Sequence, residues 1–262
     1  MDRAAYLSLL EADGQLLLTA ARGQLDRPVP PCPGWVVRDV VQHTAEVYEH
    51  KITCIELRGE RPEPWPPPWP ADRDPLEWFA DAHRRVLETL QSTDPDAPSW
   101  TWWPADQRAG FWVRRLAQET AIHRVDVQSA AGAIGPVAAD LAVDGIDEVL
   151  TMMLAGDWSD EPQPGSTGTV AVDAGQQRWW VELAVEQVMV EQVTVEQLTT
   201  EQVTAEGRNA DRAAQEPDAR VSGDPSDVLL WLWGRAGDSA VTITGDPAAA
   251  QRLRARLAVA TQ

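Results

Sequence analysis

Glu119 and His123, four residues apart, are the residues of this chain whose types and spacing best fit shared chemistry. At this spacing on a helix, two side chains lie on one face with their Cβ atoms about 5–6 Å apart. A carboxylate and an imidazole so placed can bind one divalent metal. A third ligand from a neighbouring helix, for which His43 is a candidate, would leave one position open for water or substrate, as in catalytic zinc sites.

The spacing alone also fits an ordinary pair on the surface of a helix. The surrounding segment is largely apolar, however, with Leu116 and Ala117 before the pair and Ile122 beside His123. Because burial of an unpaired carboxylate is unfavourable, Glu119 then needs a partner. The sequence leaves open whether that partner is a metal or a cationic side chain.

Two further residues bear on the same site. His50 lies seven residues after His43, two turns along the same helix face, and competes with it for the role of third ligand. Asp126, three residues after His123, could accept a hydrogen bond from the imidazole and so orient it. The alternative for Asp126 is an ordinary solvated carboxylate or one that pairs with an arginine of its own helix.

Other active-site chemistries find little support. Cys32 stands among prolines before a helix, where a thiolate could be stabilised, but the sequence favours a small residue packed in a rigid turn. His83 is followed by two arginines and is expected to be solvated. The chain has no nucleophile elbow, P-loop or dinucleotide-binding glycine pattern in a suitable context, so these hydrolase, NTPase and dehydrogenase classes are not supported.

The composition restricts the class of partner. A net charge of −19 argues against nucleic acid and against an anionic membrane surface, because both need a basic footprint. No apolar run approaches the roughly 18 residues of a membrane span, and the first residues lack signal-peptide features. We therefore expect a cytoplasmic protein with free thiols. Basic side chains such as Arg108, Arg114 and Arg115 could still attract a small anion.

Apolar periodicity predicts the elements that must position these residues. Four helices are expected to form an antiparallel bundle of the kind that holds metals between facing helices, at residues 4–23, 37–57, 74–91 and 111–131. A smaller α+β domain should follow, with strands and helices at 169–172, 179–183, 221, 225–234, 240–244 and 246–258. A fifth helix at 137–155 would link the domains, predicted as 1–155 and 165–262, with the boundary near 155–168.

A short repeat interrupts the second domain. The pentads VEQVM, VEQVT, VEQLT and TEQVT follow one another over residues 185–204. A period of five matches neither a helix nor a strand, and the repeats of known solenoids are longer. We interpret the repeat as an acidic, exposed expansion within a connection between strands, and the sequence leaves open whether it is strand, helix or disordered.

Three ordered motifs give the chain a resemblance to a known family. Residues 29–43 contain VPPCPGW and then RDVVQH, residues 119–126 read ETAIHRVD, and residues 222–235 contain SGDPSD and then LLWLWGR. Together these motifs, which span nearly the whole chain, resemble those of the mycothiol-dependent maleylpyruvate isomerase family. In this chain Val36 stands where the family usually has a polar helix cap, and the pentad repeat enlarges a connection.

The resemblance implies a DinB-like four-helix bundle with a divalent metal, usually zinc, followed by a smaller α+β domain similar to sterol carrier proteins. His43, Glu119 and His123 match the family's metal ligands. Arg235 is our candidate for an arginine of the C-terminal domain that is implicated in activity there, and it would bind a substrate carboxylate; alternatively, it complements a helix dipole.

The implied function is a cis–trans isomerisation that uses mycothiol as thiol cofactor. The partners would be this low-molecular-weight thiol and a small anionic or electrophilic substrate. Three alternatives stay open at this point: transfer of the thiol to another electrophile, hydrolysis by metal-bound water, and a metal- or ligand-binding scaffold without catalysis. Two nitrogens and one oxygen also suit several metals, among them zinc, iron, nickel and cobalt.

Overall fold

The computed structural model describes residues 1–68, 72–156, 167–185, 187–194 and 216–261. The chain forms two compact units, Met1–Val137 and Ala138–Gln262. The division therefore lies before the fifth helix, whereas we placed the boundary after it, at 155–168. The reason is that this helix packs against a later helix of the second unit, a contact that periodicity along the chain does not show.

The first unit is the predicted bundle of four helices. They are α1, Arg3–Ala21; α2, Val37–Glu56; α3, Pro75–Ser92; and α4, Ala109–Ala131. Helix α1 packs mainly on α4, and α2 packs on both α3 and α4. Fully buried apolar side chains form the core between them, including Leu10, Leu17, Val40, Phe79 and Trp112.

Local signals explain where most of these helices begin and end. The Asp2 and Asp74 carboxylates accept hydrogen bonds from the first-turn amides of α1 and α3. Gly132 ends α4 in the left-handed conformation, at a φ of 71°, which glycine adopts without strain. Helix α2 has no such cap, because the side chain of Val36 cannot accept a hydrogen bond. Instead, the backbone amide of Val36 donates to Asp39 Oδ2 at 2.8 Å.

The second unit combines helices with a five-stranded sheet. Helix α5, Ala139–Glu148, continues into a π-helical turn at Val149–Leu154. The strands are β1, Gly168–Ala174; β2, Gln177–Leu183; β3, Val188–Thr194; β4, Ala219–Gly223; and β5, Thr242–Gly245. Their order is β3-β2-β1-β4-β5, and only β1 and β4 pair in parallel among the described strands.

Two more helices of this unit are described, α6 at Pro225–Leu232 and α7 at Pro247–Ala260. Helix α6 packs on α5, and α7 packs on β1 and β4. The sheet turns an apolar face to its core, formed by Val170, Val172, Trp179, Val181 and Val221, all fully buried. The described part of the chain therefore has the predicted fold class, a helical N-terminal region followed by a small mixed α+β domain.

The interpretation of the pentad repeat as an expansion of a connection needs correction, because part of the repeat is a strand of the sheet. The first part of the repeat, Val188–Thr194, is the edge strand β3, paired antiparallel with β2. In this stretch Val188 is buried and Met189 is exposed, as expected for alternate faces of a strand. Because five is odd, equivalent residues of successive pentads fall on opposite faces, which is why the repeat carries no strand period. The later copies, from 195 to 204, lie outside the described residues.

Among the described residues, no helix combines the length and the apolar character that a membrane crossing requires.

Candidate metal centre

Helices α2 and α4 bring His43 opposite Glu119 and His123. The His43 Nε2 atom lies 3.4 Å from Glu119 Oε1, and His123 Nε2 lies 3.1 Å from the same oxygen. One ligand atom of each residue lies within 4.8 Å of the others, so the three form a group that could hold a metal ion. Their side chains are mostly buried, at 29%, 17% and 12% exposure for His43, Glu119 and His123.

The orientation of His123 is set by Asp126. The two residues lie one turn apart on α4, and His123 Nδ1 is 3.0 Å from Asp126 Oδ2. Asp126 is fully buried, so its carboxylate is not an ordinary solvated group. A carboxylate accepts a hydrogen bond from Nδ1–H, and this leaves the Nε2 lone pair directed toward Glu119 and His43. Asp126 is therefore placed to orient the His123 imidazole, as expected from the sequence.

The charges around Glu119 favour its ionised form. Burial alone would raise the pKa of this carboxyl, but the charge and hydrogen bonds of His123, a hydrogen bond from His43 and the charge of Arg115 hold its pKa well below the usual range. The Arg115 guanidinium is itself buried and contacts Glu119 Oε2 at 2.5 Å. Glu119 Oε1 therefore faces the two imidazoles as a carboxylate.

The same environment acts on His123 in the opposite sense. Burial would lower the pKa of its imidazole, but Glu119 and Asp126 raise it to about 9. Two carboxylates on either side of one imidazole thus favour positive charge at this point. A proton or a metal ion can supply that charge, because both bind at the Nε2 side.

The distances also fit a metal. Around a tetrahedral ion with ligand distances of about 2.0–2.2 Å, neighbouring donor atoms are roughly 3.3–3.6 Å apart. The separations from Glu119 Oε1, 3.4 Å to His43 Nε2 and 3.1 Å to His123 Nε2, are close to that range. Two imidazole nitrogens and one carboxylate oxygen are donors that zinc and several neighbouring divalent metals accept. The residues present therefore fit the implied metal.

An aromatic wall stands beside the site. The Trp35 ring packs edge-on against His43 with centroids 5.4 Å apart, and His43 in turn meets the His123 ring at 5.0 Å. Trp35 is held by the proline-rich turn: its amide donates to the Cys32 carbonyl, and its carbonyl accepts from Val29. Cys32 thus lies in a rigid turn, as the sequence favoured, and this turn fixes an indole that is 36% exposed at the edge of the site.

Other candidate residues lie elsewhere. His50 is not a third ligand: it lies beside Lys51 and Cys54, two turns along α2 from His43. The prediction that His83 is solvated was wrong, because it is buried and its Nε2 is 3.1 Å from the Leu10 carbonyl oxygen. Its ring packs beside those of Tyr48 on α2 and Phe79 on its own helix, while the two adjacent arginines form ion pairs with carboxylates.

Arg235 belongs to the second unit. It follows α6, where its amide donates to the Leu230 carbonyl and its Nη1 donates to the Trp233 carbonyl at 2.7 Å. Its guanidinium also lies 5.8 Å from the Trp233 ring centroid. The geometry of the three metal donors, which belong to the first unit, therefore does not test the substrate-binding role expected for Arg235.

Sequence reasoning did not place two cations at the site, although it named Arg115 as a side chain that could attract a small anion. Arg115 contacts Glu119 directly, and Lys51 is close enough for Glu119 to raise its pKa. The available signal was spacing: Arg115 precedes Glu119 by four residues, and Lys51 follows His43 by eight, so each shares a helix face with a proposed ligand.

The comparisons with known proteins agree with this architecture. The sequence profile of the mycothiol maleylpyruvate isomerase N-terminal domain matches residues 9–128, and the profile of the C-terminal domain of the same isomerase matches residues 140–252. The chain therefore belongs to the mycothiol-dependent maleylpyruvate isomerase family.

Two solved structures share the fold. One is the crystal structure of a mycothiol-dependent maleylpyruvate isomerase, 13% identical, and the other is a histidine-to-alanine mutant described under the same name, 12% identical. Each match covers 93% of both chains with a TM-score of 0.59. At this identity the likeness shows the fold alone. No protein among the curated ones matches the sequence significantly.

Proposed function

We propose that this protein is a mycothiol-dependent isomerase whose site holds a divalent metal, zinc in the first instance, on His43, Glu119 and His123. The observation that carries the proposal is that His43 Nε2 and His123 Nε2 lie 3.4 Å and 3.1 Å from Glu119 Oε1, with Asp126 on the other nitrogen of His123. Three protein ligands leave a coordination position for an exogenous group. Membership of the family supports mycothiol as that group.

In this reaction the metal and the thiol would supply the chemistry, and the residues of the chain would hold and orient them. A divalent ion lowers the pKa of a coordinated thiol, and a thiolate adds reversibly to a conjugated cis double bond, which allows rotation before the thiol leaves. The chain keeps Glu119 ionised chiefly through His123, then through His43 and Arg115, and it directs His123 Nε2 through Asp126. It also shields His43 with Trp35. No covalent nucleophile of the protein is needed.

Binding of the substrate is expected to depend on its charge. A maleyl substrate is anionic, and a net charge of −19 on the protein means that binding needs local cations. We propose that Arg235 binds one substrate carboxylate, a role supported by the family resemblance. Because a guanidinium can bind a carboxylate through two parallel hydrogen bonds, Arg235→Lys should raise KM although it keeps the positive charge.

Metal content and turnover test the proposal together. We expect near-stoichiometric zinc in the wild type after reconstitution and its loss in His43→Ala and Glu119→Gln, measured by elemental analysis. With mycothiol and maleylpyruvate, the wild type should form the trans isomer and the two variants should not. Cys32→Ser is the matched control and should keep both metal and activity.

The fate of the thiol separates the isomerase from a transferase. An isomerase returns mycothiol unchanged, whereas a transferase consumes one thiol for each product, and a thiol titration after turnover measures the difference. Wild-type protein that binds no metal after reconstitution would contradict the proposal. So would substrate loss that proceeds equally well without thiol, which would favour metal-assisted hydrolysis.

A further inference from the structure

Lys51 is the single lysine of the chain, and its ammonium lies in an aromatic cage on the α2–α4 face. Its Nζ lies 4.7 Å from the ring centroid of Trp65 and 4.8 Å from that of Trp112. It is also 3.0 Å from His50 Nδ1. Trp112 is fully buried, so one wall of this cage is part of the bundle core.

The cage gives the ammonium no anionic partner. Within the described parts of the chain, no carboxylate lies within ion-pair distance of Lys51, although most arginines of the bundle are paired. Indole rings offset part of the loss of hydration of a cation, but less than a carboxylate does. His50 is not an anion either, because burial and the neighbouring Lys51 lower its pKa to about 4.

The position of Lys51 relates the cage to the candidate metal centre. His43 and Lys51 are eight residues apart on α2, roughly 12 Å along the helix axis. On the facing helix α4, Glu119 follows Trp112 by seven residues, so the metal donors and the cage lie at successive levels of one helix pair. Arg115 lies between those levels and is held on Glu119.

We propose that Lys51 and its indole cage form the subsite that binds a carboxylate of the substrate, while the reacting part of the substrate lies at the metal donors. The inference rests on the proposed function and assigns a further substrate-binding residue of the same site. An anion that reaches the cage forms an ion pair with the Lys51 ammonium in a water-poor setting. It thereby neutralises a charge that has no carboxylate partner. Arg115 cannot take this role, since its charge is already committed to Glu119.

A chain with one lysine allows a direct test. Protein labelled with ¹³C-lysine gives a single Cε resonance, and titration with maleate should shift it saturably. The neutral diamide of maleic acid should leave it in place, because it carries no charge. The measurement uses the full chain without metal or thiol, so it does not depend on turnover.

Substitutions then connect binding with activity. Lys51→Met should raise the KM for the dicarboxylate substrate by about ten- to a hundredfold, the usual loss for a hydrogen bond to a charged group, with a smaller change in kcat. Lys51→Arg should recover part of that loss. Arg84→Met, which removes an exposed cation paired with Asp81 and Glu88, is the matched control and should leave KM unchanged.

The outcomes separate the two proposals. A saturable shift with maleate, absent with the diamide, supports the subsite even if thiol-dependent turnover fails and the proposed function is lost. Turnover by the wild type with an unmoved Lys51 resonance and an unchanged KM in folded Lys51→Met overturns the subsite and leaves the function standing. A resonance that moves equally with maleate and with its diamide also overturns it, since charge is then not recognised.

Discussion

His123 Nδ1 and Asp126 Oδ2 lie 3.0 Å apart, one turn of α4 from each other, with the carboxylate fully buried. This contact leaves the other nitrogen of His123 to face Glu119 and His43. The three proposed ligands therefore depend on a fourth residue that need not touch the metal. Such orienting partners commonly affect metal affinity as strongly as they affect activity.

Asp126→Asn tests this dependence. The amide keeps the size of the side chain but removes its negative charge, so we expect zinc affinity to fall about ten- to a hundredfold. Competition with a chromophoric chelator measures the affinity, and circular dichroism verifies that the variant is folded. Unchanged affinity in a folded variant would show that Asp126 does not orient the ligand.

Val36→Thr should stabilise the first unit. Val36 occupies the cap of α2 with extended backbone angles but offers no side-chain acceptor to the first-turn amides. A threonine hydroxyl there should add about 0.5–1 kcal/mol, while the bond from the Val36 amide to Asp39 is retained. Calorimetry of the full chain should show a higher melting temperature for Val36→Thr and no increase for Val36→Ala. Equal behaviour of the two variants would argue against a capping effect.

Gly14→Ala should destabilise the bundle although alanine favours helices. A Cβ on Gly14 would lie 2.2 Å from His83 Nε2, which hydrogen-bonds to the Leu10 carbonyl. We expect a net loss of about 1–3 kcal/mol in chemical unfolding, because overpacking outweighs the roughly 1 kcal/mol of helix propensity.

Gly237→Ala is the matched control for Gly14→Ala. A Cβ at Gly237 meets no atom within 4 Å, so this variant should be close to neutral. The double variant Gly14→Ala/His83→Ala should show that the two changes are not additive, since the second removes the clash. Full additivity would locate the cause elsewhere.

The charge of Lys51 predicts a pH dependence. Burial, and to a lesser extent Arg115, lowers its pKa to about 8 against the raising influence of Cys54 and Glu119. Between pH 8 and the unfolded value near 10.5, the unfolded state binds more protons, so this lysine makes stability rise with pH. Cys54 acts oppositely above about pH 9, because burial raises its pKa to about 11. The net rise is therefore expected between pH 8 and 9.

Two measurements check this. The Cε resonance of the single lysine in chelator-treated protein should titrate with a midpoint near 8. The rise in the free energy of unfolding between pH 8 and 9 should be absent in Lys51→Met. A midpoint near the ordinary value of 10.5 would mean that burial in the cage does not lower the pKa of Lys51.

Much of the architecture was predictable because amphipathic helices carry their period in the sequence. The four bundle helices, the strands of the α+β domain other than β3, and the grouping of His43 with Glu119 and His123 all follow from spacing and motif. Strand β3 was missed because its pentad period conceals the alternation of faces. The fifth helix was assigned to a link because its packing partner, α6, lies far away in the sequence.

By itself, the sequence determined which residues share a helix face, and with its motifs it determined the family. Only the tertiary structure decided which other element covers each face. It places His83 under Gly14, Asp126 out of solvent and Lys51 between two indoles that come from a loop and from α4. The physical reason is that periodicity records burial along one element, whereas contacts between distant elements depend on packing across the whole core.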